Sequence, residues 1–362
     1  MSGTLPHPEV ILRALRDAVE RQVREWPDRA SGFNDVMRLT ADLARVLLAS
    51  ADTPTNPASE ALAERALSRG VFLGGSPKGG TTMFVQLFDG HPDLVVLPGD
   101  SRLVHLIDAP PEETALERQL GYWLRQTISP NALPPFWCLG ESLDPYRALA
   151  SWYKLWHARL ASRPAGCVLA AAAALACATR PSAPAAFVEK TCANVQHAAR
   201  VFAAMPGAKI IQIVRDPYAT LAALSRQVAA RRWDWTFQSR LDMVRDVLRG
   251  AVENPARFGE DRYRVVAYER LVADPEPVMR SLAAFIGVDY HPILTTPTVL
   301  GRPATSNSMF GERRVTGQLL AEDPDETIDR WRQVLTPAEQ RSALDACSPF
   351  AEQLGYRVSL AA

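Results

Sequence analysis

From Gly74 to Thr82 the chain reads Gly-Gly-Ser-Pro-Lys-Gly-Gly-Thr-Thr, directly after the apolar run Val71-Phe72-Leu73. A strand that breaks into glycines and restarts as a helix near Thr81 builds a cradle for an anion. The N–H groups at a helix start have no partner inside the helix, and the aligned peptide dipoles add partial positive charge there. Glycine lets the backbone approach a phosphate closely. The position of the lysine sets the chemistry. A nucleotide-triphosphate loop of the form GxxxxGK[ST] has its lysine after the second glycine. Here Thr81 and Thr82 follow Gly80, and the lysine stands inside the loop at Lys78. Farther along, Val214-Arg215-Asp216-Pro217 delivers an arginine from an apolar strand to a helix start. Its planar fork of donors suits phosphate. Asp216 is placed to cap the helix, with Pro217 at its first position. Reading Asp216 as the metal-binding aspartate of an NTPase lacks the GK[ST] that should accompany it.

With its lysine in this place, the loop resembles the 5′-phosphosulfate loop of sulfotransferases that use 3′-phosphoadenosine 5′-phosphosulfate (PAPS). Together with Arg215 it is similar to the paired PAPS sites of that superfamily. The segment His91-Pro92-Asp93, then Pro98-Gly99-Asp100-Ser101-Arg102, is similar to that of tyrosylprotein sulfotransferases and their bacterial relatives. The resemblance runs from about Val71 to Tyr356. It takes in Ala267-Tyr268-Glu269-Arg270-Leu271 and Trp331-Arg332-Gln333-Val334-Leu335-Thr336-Pro337, which read as scaffold.

The resemblance implies a set of roles. Pro77, Lys78, Gly79, Gly80, Thr81 and Thr82 would hold the 5′-phosphate and the transferring group, with Lys78 meeting the charge that develops on the bridging oxygen. Arg215 would anchor the 3′-phosphate. The serine expected eight residues after the arginine is Ala223 here, with Thr220 and Ser225 as shifted candidates. Asp100 falls where the family has a glutamate base, one methylene longer; otherwise it is a turn residue. His105 is the second candidate base and Glu189 the third. Lys190 would reach the sulfuryl oxygens from a strand end, or else Glu189 and Lys190 belong to ordinary surface ion pairing. Arg302, Ser306 and Ser308 lie in a polar loop that in the family closes over the cofactor; otherwise it is a surface loop. The implied activity is PAPS-dependent transfer of a sulfuryl group to a hydroxyl, or secondarily an amine, of a small-molecule or other organic acceptor. The alternatives are a non-catalytic nucleotide-binding relative and an NTP-dependent kinase.

The elements that must carry these residues alternate. Strands are predicted at 71–74, 94–97, 187–188, 209–214 and 262–267, and helices at 81–89, 112–127, 144–162, 193–205, 217–231 and 275–286. The pattern is an α/β fold with a P-loop-like parallel sheet flanked by helices. Residues 1–70 carry only helical periodicity, as in Val36, Leu39, Leu43, Val46 and Leu47. They read as a helical N-terminal extension to a sulfotransferase-like domain over 71–362. Trp123, Phe136, Trp137, Trp152 and Trp156 mark either an apolar acceptor pocket or core. Arg231-Arg232-Trp233-Asp234-Trp235 marks an acceptor or adenine contact, or helix-end packing.

The bulk composition excludes several classes. The 362 residues carry 40 Lys+Arg against 40 Asp+Glu, so no basic excess points to nucleic acid. The five cysteines are scattered without CxxC or a metal-ligand cluster, as expected of reduced thiols in a cytoplasmic protein that needs no metal. The most apolar stretch, residues 165–178, is shorter than the roughly 20 residues of a membrane span. Oligomeric state leaves no mark in the sequence.

Overall fold

The computed structural model describes residues 6–24, 30–179, 184–231, 234–305 and 330–356. Five strands, β1 (Gly70–Gly75), β2 (Leu94–Val96), β3 (Ala186–Lys190), β4 (Lys209–Val214) and β5 (Tyr263–Ala267), form a parallel sheet in the order β2-β3-β1-β4-β5. The expected α/β class is what is found. The chain divides into two compact units.

The first unit takes in Met1–Gly70, Asp89–Glu189 and Thr298–Thr305. Its helices are α1 (Pro8–Arg24), α2 (Ala30–Ala49), α3 (Pro57–Leu67), the short α5 (Leu103–Leu106) and α6 (Pro111–Thr114), α7 (Leu116–Ile128), α8 (Asp144–Leu160) and α9 (Gly166–Thr179). The N-terminal helices α1 to α3 were legible from periodicity. Ile11, Leu12, Leu15, Ala18 and Val19 are buried on one face of α1, and Asn56 caps α3 by accepting the Ser59 N–H at 3.3 Å. α1 packs on α2, and α2 on α7 and α8. The alanine-rich stretch is α9, buried from Gly166 through Ala176 and packed by α3 and α8. A helix apolar all round belongs in a core. No helix among the described residues is long and apolar enough to cross a membrane. The expected helix 112–127 breaks at Ala115, whose ψ of 138° is extended. In the same unit, β2 pairs β3 with Leu94 opposite Ala186, and β6 (Thr298–Val299) pairs β7 (Arg302–Pro303) as a hairpin.

The second unit takes in Val71–Phe88, Lys190–Pro297 and Ser306–Ala362. It holds α4 (Thr81–Gln86), α10 (Ala198–Ala204), α11 (Pro217–Arg231), α12 (Phe237–Phe258), α13 (Tyr268–Ala273), α14 (Pro275–Ile286) and α15 (Pro337–Ala351). After Lys209 at its start, β4 is apolar except for Gln212, which is fully buried. Its amide donates to the Val247 carbonyl at 2.7 Å and accepts the Tyr263 hydroxyl at 2.5 Å, while Asn254 donates to that hydroxyl at 3.0 Å. A buried amide in a central strand is tolerated when its donors and acceptors are met this way. α11, α12 and α15 share a core of Leu221, Leu224, Leu241, Val244, Leu248, Ala343 and Cys347. Trp331 stacks on Tyr218 at 4.4 Å beneath it. The expected helix 193–205 opens instead as a tight turn at Cys192–Val195 before α10.

Candidate functional site

The register of β1 on β4 places the two cationic motifs at one edge of the second unit. Val71 lies opposite Lys209 and Gly75 opposite Ile213, so the loop after Gly75 and the residue after Val214 leave the sheet together. Arg215 Nη1 donates to the Lys78 carbonyl at 3.3 Å. The guanidinium lies 4.4 Å from the centre of the Tyr268 ring. The end of β5 places that ring: Val214 is opposite Ala267, and Tyr268 follows directly as the first residue of α13. In sequence Tyr268 reads as scaffold. The signal that could have found it was its place at a strand end in register with Arg215.

The loop itself is tight. Gly79 N–H donates to the Ser76 carbonyl at 2.9 Å. Lys78 has φ +64°, a left-handed conformation that is strained for a residue with a side chain. Gly80 has φ +93°, and a Cβ there would stand 2.4 and 2.7 Å from Tyr268 ring carbons. Gly80 opens α4 without offering a side-chain cap, and Phe84 N–H is the first to donate back to it, at 2.9 Å. The opening N–H groups of α4 therefore face a glycine-lined turn. Thr81 is buried with Oγ1 3.4 Å from Cys192 Sγ, and Thr82 is half-buried beside it. The residues from 74 to 82 contain no carboxylate. Donors without acids, crowded so closely that a side chain at Gly80 would clash, are what a phosphosulfate group requires. The PAPS implied by the resemblance fits this loop.

Downstream of Arg215 the strand-to-helix junction is held in detail. Asp216 is the α11 cap, as expected: its Oδ1 accepts the Ala219 N–H at 2.7 Å. Burial pushes its carboxyl up to about 6, helped by the neighbouring Glu269 charge and opposed by the Ala219 N–H bond and Arg215. Ala223 is buried in the α11 core face. Thr220 is also buried, and its hydroxyl donates to the Asp216 carbonyl at 2.9 Å; the Ser225 hydroxyl donates to the Leu221 carbonyl at 2.9 Å. Both hydroxyl hydrogens are committed to their own helix, so neither is presented as a donor to a phosphate in this conformation. Lys190, in the same unit, is buried at the end of β3 rather than lying on the surface.

The first unit holds the candidate bases. Asp100 is half-buried, and its Oδ1 accepts the Arg102 N–H at 3.1 Å, a turn-type bond; its carbonyl accepts the Tyr122 hydroxyl. Glu189 is fully buried and accepts the hydroxyl of Ser101, which in turn accepts the Leu103 N–H at 3.2 Å. The surface ion-pair reading of Glu189 and Lys190 therefore fails on burial. Ser101 was missed as a partner because a single serine beside Asp100 carries no pattern of its own. His105 is exposed on α5. His91 holds a turn, with Nδ1 accepting the Asp93 N–H at 3.0 Å.

Arg302 is exposed on β7. Its hairpin is tied down by Asp89, whose Oδ2 accepts the Thr298 hydroxyl at 2.6 Å and the Gly301 N–H at 2.7 Å. Ser306 and Ser308 lie outside the described residues, as do Arg232 and Trp233. Trp123, Trp137, Trp152 and Trp156 are buried and Phe136 is half-buried. All five cysteines are free, and no group of His, Cys, Asp or Glu among the described residues is arranged to hold a metal.

Comparison with known proteins bears on the same stretch of chain. Residues 70–292 match the model of the family described as the sulfotransferase family. Over 167 residues the chain is 32% identical to carbohydrate sulfotransferase 5 of Mus musculus, covering 41% of this chain and 42% of that protein. Over 294 residues it is 25% identical to protein-tyrosine sulfotransferase 1 of Danio rerio, covering 79% of this chain and 72% of that one. The chain thus spans less than half the length of the carbohydrate relative it matches. The sulfotransferase domain of the Synechococcus PCC 7002 olefin synthase superposes with a TM-score of 0.54 at 23% identity, covering 80% of this chain and 96% of that domain, a likeness of fold.

Proposed function

The chain belongs to the sulfotransferase family, and we propose that it moves a sulfuryl group from PAPS to a hydroxyl of an organic acceptor. The observation that carries this reading is the acid-free loop from Gly74 to Thr82 with Arg215 bonded to its Lys78 carbonyl at 3.3 Å. Family membership sets aside the kinase alternative. PAPS supplies an activated sulfuryl group on its 5′-phosphate, and this chain's residues bind and orient it. The loop N–H groups with Thr81 and Thr82 hold the 5′ end. Arg215, braced against Tyr268, holds the 3′-phosphate. Lys78 and Lys190 stabilise the charge that grows on the leaving oxygen, a role in which a placed cation is worth several kcal/mol. Asp100 accepts the acceptor's proton, with buried Glu189 as the other carboxylate able to do so. Sulfuryl transfer needs positioning and charge stabilisation more than covalent chemistry, which matches a site of cations and N–H donors.

The test is thermal unfolding with adenosine 3′,5′-bisphosphate, AMP and ATP. A ligand at 100 times its Kd adds roughly 2.7 kcal/mol to stability. Stabilisation by the bisphosphate above AMP and ATP is the expected result. Equal response to AMP would remove Arg215 from the 3′-phosphate role. No response to any of the three would leave a repurposed, non-catalytic member of the family.

A further inference from the structure

Arg215 is one residue between two that are clamped from outside the strand–helix motif. Before it, the Val214 carbonyl accepts the Tyr356 hydroxyl at 3.1 Å. After it, the Asp216 N–H donates to Glu269 Oε1 at 2.9 Å. The clamp closes on itself, because the Tyr356 hydroxyl also lies 2.8 Å from Glu269 Oε2 and shares its single hydrogen between that carboxylate and the Val214 carbonyl. Glu269 is the residue after Tyr268, whose ring lies under the Arg215 guanidinium. The start of α13 therefore meets Arg215 twice, through the ring below the side chain and through the carboxylate on the following peptide.

We infer that Glu269 and Tyr356 are positioning residues for Arg215, fixing the direction in which it presents its donors and so the preference of the site for a 3′-phosphate. This inference rests on the proposed role of Arg215. Helix α11 is already capped by the Asp216 side chain on the Ala219 N–H. The clamp is not needed to start the helix; what it fixes is the peptide on either side of the arginine. Tyr356 is half-buried, and burial, reinforced by the nearby Glu269 and Asp216 carboxylates, holds its hydroxyl well above the ordinary tyrosine range. It acts as a neutral donor across the working pH range. The interaction also gives the C-terminal segment after α15 a task at the site.

The test measures Kd for adenosine 3′,5′-bisphosphate and for AMP by titration calorimetry, in wild type, Arg215→Ala, Tyr356→Phe, Glu269→Ala and Glu269→Gln. In wild type the bisphosphate binds more tightly, and Arg215→Ala removes that preference. Tyr356→Phe and Glu269→Ala are expected to cut the preference by about three- to tenfold, the range of one lost hydrogen bond, with AMP affinity within about twofold of wild type. Glu269→Gln keeps an acceptor for the Asp216 N–H and restores part of the preference. If Arg215→Ala leaves the preference intact, or wild type has none, the role of Arg215 is wrong and the inference falls with it. If Arg215→Ala abolishes the preference while Tyr356→Phe and Glu269→Ala keep it, only the clamp is wrong. An equal loss of affinity for both ligands would mean that these residues support the fold alone.

Discussion

Replacing Gly80 with alanine should damage the 3′-phosphate grip without touching a charged group. Two costs follow from the geometry. At φ +93° the new residue pays the left-handed penalty of an L-amino acid, about 1–2 kcal/mol. Its Cβ would also sit 2.4 Å from one Tyr268 ring carbon and 2.7 Å from the next. A ring cannot yield as a flexible chain end does, so Tyr268 must shift, and overpacking of this kind costs about 1–3 kcal/mol. The sum is about 2–5 kcal/mol of stability. With an unfolding entropy of about 2.1 cal/mol/K per residue, a loss near 3 kcal/mol over 362 residues lowers the midpoint by about 4 °C. The second consequence is functional. Tyr268 lies under Arg215 at 4.4 Å, and losing such a contact is worth about 0.5–2 kcal/mol. Bisphosphate affinity should therefore fall by about three- to thirtyfold, and AMP affinity by less. Differential scanning fluorimetry reads the first effect and calorimetric titration the second. An alanine variant that melts within a degree of wild type and keeps its bisphosphate affinity would refute both the contact and the claim that it sets Arg215.

The other predictions are briefer. Lys78→Ala should lower turnover by about 10²–10³ if the lysine meets charge only in the transition state, while bisphosphate, which lacks the sulfuryl group, binds within a few-fold of wild type; near-normal turnover would remove Lys78 from the chemistry. Lys78→Gly should be as inactive as Lys78→Ala but melt higher, because glycine relieves the strain at φ +64°. Asp100→Asn should cost about 10²- to 10⁴-fold in rate if Asp100 is the base, and Glu189→Gln measured beside it decides between the two carboxylates. Asp216 gives a pH signature. Its carboxyl is raised from 3.8 to about 6 by burial, so its stabilising contribution is fully present below about pH 3.8 and lost as pH rises through about 6. Asp216→Asn still caps α11 and does not titrate, so the melting difference, wild type minus variant, should fall across that window and level off above it; a flat difference would contradict the raised value.

How much of this was legible depended on whether the information was local. The strands at 71–74 and 209–214 were readable because a strand covered on both faces leaves a near-continuous apolar run, from which only Lys209 at the start and Gln212 depart. Helix α12 was not assigned, although Leu241, Val244, Val247, Leu248 and Ala251 keep a helical spacing, because Gly250 and Pro255 interrupt it. Proline so close to the end of the helix removes little, since Gly259 closes the helix four residues later. In the sequence the alanine run at 165–178 is distinguished only as too short for a membrane span. Its absence of amphipathic pattern is itself the sign of a helix buried on every side. The compact units also cut across chain order, placing 89–189 with the N-terminal helices, which no local pattern could reveal.

The same distinction separates the two halves of the candidate chemistry. The donor cradle is a contiguous loop plus one arginine, and its glycines are dictated by backbone geometry that the sequence displays directly. The residues that make Arg215 precise, Tyr268, Glu269 and Tyr356, are ordinary scaffold types scattered over the chain. They acquire meaning only through the pairing of β4 with β5, which sets Val214 opposite Ala267, and through the return of the C-terminal segment to the Val214 carbonyl. Aspartate at position 100 and glutamate at 189 pose the corresponding problem for the acceptor side. Asp100 was singled out by spacing, whereas Glu189 is singled out by being fully buried with the Ser101 hydroxyl in its grip. A carboxylate removed from water must be held by donors, and the Ser101 hydroxyl, next in sequence to Asp100, is such a donor to Glu189. Ser101→Ala should therefore disturb Glu189 while leaving the Arg102 N–H on the Asp100 carboxylate, so a loss of turnover in that variant would favour Glu189 as the base and near-normal turnover would favour Asp100.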